Sequence, residues 1–103
     1  MNFHYTVKSK REIKDLLKAI EEALTEIQFS IQWQTNLTES IKKKGLDKVE
    51  AAYHILEVCN PFVAEKILSQ NPEAHYFLPC KMTVHEKDGE VYVGLLRPTH
   101  LMQ

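Results

Sequence analysis

The sequence predicts an α+β domain: one mainly antiparallel sheet of about five strands with two main helices on one face. Three observations carry that expectation. Apolar residues alternate at a period of two near both ends of the chain, which is the strand pattern. Two intervening stretches repeat apolar residues at spacings of three and four, which is the helical one. The Asp88-Gly89 pair separates two alternating runs by two residues, the spacing of a tight hairpin.

Phe3, Tyr5 and Val7 alternate with Asn2, His4 and Thr6, so the chain opens on a strand with one buried face. Ser9 and Glu12 stand at capping-box spacing, predicting a helix start there. Ile13, Leu17, Ile20, Leu24 and Ile27 follow as one apolar stripe, on a helix of about 18 residues. Phe29, Ile31 and Trp33 alternate with Ser30, Gln32 and Gln34 and give a second strand. A short helix is expected over 37–44, ended by Gly45 in the left-handed conformation.

From Ala51 to Cys59 apolar residues occupy both parities, which predicts an interior strand. Asn60-Pro61 then starts a helix, because Asn caps free amides and Pro at the first helical position lacks only an unpaired one. Val63, Ala64, Ile67 and Leu68 form its buried side, and Asn71-Pro72 ends it. In the final hairpin the turn sets Glu86 opposite Val91, Val84 opposite Val93, Met82 opposite Leu95 and Cys80 opposite Arg97. His85 with Tyr92 and Lys81 with Leu96 fall on the other face.

At 103 residues the chain has the length of one domain, spanning 1–103, without repeat, linker or low-complexity segment. Thirteen basic against fourteen acidic residues give a net charge of −1, which is no footprint for nucleic acid. The run Lys42-Lys43-Lys44 reads as a solvated helix face. No apolar stretch has the length of a membrane span, and the N-terminus lacks a signal-peptide core, so a cytoplasmic address is expected. There the two cysteines, Cys59 and Cys80, are expected as free thiols.

Leu56-Glu57-Val58-Cys59-Asn60-Pro61, Leu78-Pro79-Cys80, Asp88-Gly89 and Leu95-Leu96-Arg97-Pro98, taken in this order, resemble the bacterial and archaeal "domain of unknown function 302" family. The resemblance runs over nearly the whole chain. It implies a compact α+β fold similar in architecture to the TATA-box-binding-protein-like group, and a homodimer. It implies neither DNA binding nor an established activity, and cysteine at 59 and 80 is not part of the family's basic pattern.

Chemistry-bearing residues are few. Cys59 precedes a helix start, where amide dipoles favour a thiolate, while its structural reading is a small side chain closing a strand. A helical crossover normally leaves the flanking strands parallel, which would put Cys59 and Cys80 at opposite edges unless the nine residues from Asn71 to Pro79 carry the chain back. Their spacing fits no zinc pattern. Glu57, in an apolar strand, needs Arg97 or a histidine as partner if buried. No two of the five histidines have ligand spacing, and the three glycines form no phosphate loop.

Parity assigns Phe3, Tyr5, Phe29, Ile31, Trp33, Met82, Val84, Val93 and Leu95 to the helix-covered side. The other side carries His4, Thr6, Gln32, Gln34, Tyr53, Ile55, Glu57, Thr83, His85, Tyr92 and Leu96. Such a half-apolar face suits an isologous dimer contact or a ligand groove. The expected function is therefore a homodimeric, non-enzymatic module that binds a small ligand or protein there. Its expected binding residues are Tyr53, Glu57, Cys59, Asn60, Cys80 and Arg97, with no catalytic set, metal site or cofactor. The alternatives are a thiol-dependent enzyme or redox sensor using Cys59, and a soft-metal-binding protein using one or both cysteines.

Overall fold

The computed structural model describes residues 4–96, without the side chain of residue 77. In chain order the elements are β1 (His4–Ser9), α1 (Ile13–Glu26), β2 (Ser30–Asn36), α2 (Leu37–Lys42), β3 (Tyr53–Cys59), α3 (Pro61–Gln70), a 3-10 segment (Pro72–Phe77), β4 (Cys80–Lys87) and β5 (Glu90–Leu96). The strands form one five-stranded sheet in the order β1-β5-β4-β3-β2, and every neighbouring pair is antiparallel. Phe3, Arg97 and His100 lie outside the described residues, and with them the expected pairing of Cys80 with Arg97.

β1 and β2 occupy opposite edges and run parallel, so α1 must carry the chain across the whole sheet. Its 14 residues span about 21 Å at 1.5 Å per residue, close to the roughly 19 Å between the outer strands of a five-stranded sheet. One helix thus covers one face. Leu16 and Leu24 on its inner side meet Leu56, Val58 and Val84 from β3 and β4, and these five residues form the buried core. Leu56 and Val84 are completely buried, each contributing about 1.5–3 kcal/mol by removal from water.

The α1 start differs from the capping-box expectation. Ser9 is the last residue of β1, where its hydroxyl accepts from the Arg11 amide at 3.1 Å, and the cap position falls to Glu12 with no side-chain bond. The helix also ends early, at Glu26. Gln28 takes a left-handed φ of 66° to turn into β2, which leaves Ile27 exposed.

Other local expectations are met closely. Asn60 Oδ1 accepts from the amides of Phe62 and Val63 at 3.0 and 3.2 Å, with Pro61 at the first helical position. Gly45 turns at a φ of 78° just beyond α2. Asp88 and Gly89 both take positive φ, as a type I′ hairpin turn requires, and the register pairs Glu86 with Val91, Val84 with Val93 and Met82 with Leu95. α3 packs chiefly against the 3-10 segment and fully buries none of its residues; Val63, expected inside, is exposed.

Two departures concern which residues share a face. The register of β2 against β3 shifts between Ile31, opposite Val58, and Trp33, opposite Glu57. Gln32 is the extra residue of a bulge, and one extra residue reverses the parity of all that follows. Trp33 therefore stands on the open face, half exposed, and Gln34 on the helix side beside Ile13, Leu17 and His54. The second departure is the antiparallel pairing of β3 with β4. The 3-10 segment and the residues after it return the chain, so that the two strands meet head to tail and the parallel crossover rule does not apply.

Candidate functional site

The open face is a grid whose rows follow from the strand registers. One row runs Lys8, Tyr92, His85, Tyr53; the next runs Thr6, Gly94, Thr83, Ile55, Thr35. His4 and Leu96 continue it on one side, and Lys81, Glu57 and Trp33 on the other. α1 makes its traverse on the opposite face.

Gly94 sits in the middle strand of the β1-β5-β4 portion, buried between two half-buried threonines. A Cβ at this position would lie 2.8 Å from Thr6 Oγ1 and 3.2 Å from Thr83 Oγ1. The side chains of Thr6 and Thr83 already crowd the place a Cβ would take, and such close approach is a recognised reason for glycine inside a strand. The depression around it has a volume of about 460 Å³, within the usual range of small-molecule sites.

Its rim is made by His4, His85, Tyr92, Leu96 and the stems of Lys81 and Lys87. His4 Nδ1 lies 2.8 Å from Thr6 Oγ1, tying the imidazole to the edge of the hollow. His85 stands between two rings, stacked on Tyr92 at 5.6 Å and on Tyr53 at 6.2 Å, with interplanar angles of 18° and 10°. Its pKa lies below the ordinary imidazole value, first through partial loss of water and then through the positive charges of Lys87 and His4. Two lysines and two histidines thus line a depression that, among the described residues, has no carboxylate of its own. Two acids stand outside this lining: Glu90 approaches Lys8 at 4.0 Å, and Glu57 lies opposite Lys81.

The residues expected from sequence to form a site are scattered about this centre. Tyr53 belongs to the aromatic row, and Glu57 to the open face between Lys81 and Trp33. Asn60 uses its side-chain oxygen to cap α3. Cys59 and Cys80 do not lie at opposite edges: Cys80 stands opposite Val58, which puts both cysteines at the same end of adjacent strands. Cys80 packs against the core, and burial followed by the charge of Cys59 pushes its thiol pKa up, away from nucleophilic character. Both thiols are free. Among the described residues no three His, Cys, Asp or Glu side chains converge as a metal site requires.

His4, Thr6, Thr83, His85 and Tyr92 follow from parity as members of the open face. What sequence reasoning missed is Gly94 as their centre. The available signal is a glycine amid the β-formers of 90–96, and its meaning depends on β1 lying beside β5, a pairing between chain ends.

Comparison with known proteins agrees with this fold. The family described as "Domain of unknown function DUF302" matches residues 5–103. The crystal structure of an uncharacterized conserved DUF302 protein from Bacillus stearothermophilus superposes with a TM-score of 0.93 at 39% sequence identity, covering 97% of this chain and 77% of the other. None of the curated proteins compared matches the chain.

Proposed function

The chain belongs to the DUF302 family, and from that premise we propose that it is a homodimeric, non-enzymatic binding module whose small-molecule ligand sits on the open sheet face over Gly94. The observation that carries this reading is the hollow itself. At the centre of a sheet face, around a glycine that Thr6 and Thr83 approach too closely for a side chain, hydroxyl, imidazole, ammonium and aromatic groups from three strands line one depression. These groups supply donors, positive charge and stacking surface, the equipment of a binding site.

The test is a fragment screen followed by amide chemical shifts in the wild type and in Gly94→Val. Fragments that shift the amides of Thr6, Thr83 and Gly94, and lose that effect in the variant, support the reading. Fragments that collect elsewhere on the protein refute it.

The dimer is supported by apolar surface that the single chain leaves uncovered. Phe62 and Tyr76, on α3 and the 3-10 segment that packs against it, are 69% and 78% exposed. A second copy seated there would bury them isologously. Light scattering at micromolar concentration should give twice the 12.0 kDa chain mass, and the chain mass alone would remove this part of the proposal. The thiol-dependent alternative draws on the closeness of Cys59 to Cys80 at one end of the sheet. Both thiols being free suits a reducing, cytoplasmic compartment, and no helix among the described residues is long and apolar enough to cross a membrane.

A further inference from the structure

Resting on the reading that the hollow is a ligand site, we infer that its ligand is a small organic anion, with the charged head over Gly94 between Thr6 and Thr83 and the apolar body along Tyr92 and Leu96. Charge is the first argument. Among the described residues every ionisable side chain lining the depression is a lysine, a histidine or the tyrosine, so at neutral pH that lining carries positive charge and no negative charge. The electrostatic field above Gly94 therefore favours an anion and disfavours an ammonium ligand.

Hydrogen bonding is the second argument. Lysine ammonium groups donate only, and hydroxyls and imidazoles donate when an acceptor is presented. A carboxylate or phosphoryl oxygen above Gly94 has the Thr6 and Thr83 hydroxyls on the two neighbouring strands, the Thr6 hydroxyl also being in contact with His4 Nδ1 at 2.8 Å. Donors on two strands, on either side of a close backbone approach, can grip one head group only where the intervening residue is glycine. The third argument is shape. The depression is open along Tyr92, whose ring continues the stack with His85, and along Leu96, so a flat apolar body has a surface to lie on.

Amide chemical-shift titration with phenyl phosphate, benzoate, benzamide and benzylamine tests the inference, because these probes share one ring and differ in head-group charge. Phenyl phosphate and benzoate are expected to shift the Thr6, Thr83 and Gly94 amides saturably. The neutral and cationic probes should bind about tenfold more weakly or worse. Lys81→Gln and Thr83→Val, surface or near-isosteric changes that preserve the sheet, should each weaken the anions by about tenfold, and Lys81→Gln should leave benzamide unaffected. Benzamide or benzylamine binding over Gly94 as tightly as benzoate would overturn the anion assignment and leave the hollow standing as a site. Probes that perturb none of these amides also overturn it, and the fragment screen with Gly94→Val then decides separately whether the hollow binds anything.

Discussion

Gly94→Ala adds one carbon at the centre of the proposed site, and its cost follows from the geometry. The new Cβ would stand 2.8 Å from Thr6 Oγ1, a separation that real side chains do not tolerate, and 3.2 Å from Thr83 Oγ1. Thr6 must turn its hydroxyl away, which breaks the 2.8 Å contact with His4 Nδ1. Overpacking of this kind costs about 1–3 kcal/mol. Against it stands the gain of about 0.5–1 kcal/mol from replacing a flexible glycine inside a strand. The net expectation is a destabilisation of about 1–2 kcal/mol, a fall in Tm of about 4–8 °C per kcal/mol for a domain of this size. The informative assay is a double-mutant cycle by thermal or urea unfolding. Thr6→Ala removes the nearest clashing atom, so in that background Gly94→Ala should be neutral or stabilising by up to about 1 kcal/mol. If Gly94→Ala stabilises the wild type, or costs the same in both backgrounds, Thr6 does not crowd the position and the reasoning fails.

Three further outcomes are expected. Asn60→Ala loses the acceptor for the Phe62 and Val63 amides and should destabilise by about 1 kcal/mol; an unchanged urea midpoint would show that α3 does not depend on this cap. The folded His85 holds its proton less tightly than the unfolded chain does, so its contribution to stability is present above the unfolded value near 6.5 and is lost as pH falls from there through the lower folded value. His85→Gln should therefore flatten the decline in Tm below about pH 6.5, and an equally steep decline in the variant would exclude His85 as its source. Cys80, with its thiol pKa raised by burial and by the neighbouring Cys59, should alkylate more slowly at neutral pH than an unhindered thiol and should accelerate in Cys59→Ser. Rapid alkylation of Cys80 in the wild type would contradict the structure and strengthen the thiol reading.

The sequence by itself determined whatever rests on neighbours along the chain. The Asp88-Gly89 turn fixes the β4–β5 register because a two-residue loop allows only one pairing, and Asn60-Pro61 starts α3 because a cap acts within three residues. The ordered short motifs carried the family, and the alternation of His4 and Thr6, Thr83 and His85 put these residues on one face. Tertiary structure decided what depends on partners distant in sequence. The Gln32 bulge moved Trp33 to the open face, because a parity count has no means of registering one unpaired residue. The return through the 3-10 segment made β3 and β4 antiparallel and brought Cys59 to the end that holds Cys80. Gly94 became necessary only when β1, from the other end of the chain, set Thr6 against it and left no room for a Cβ.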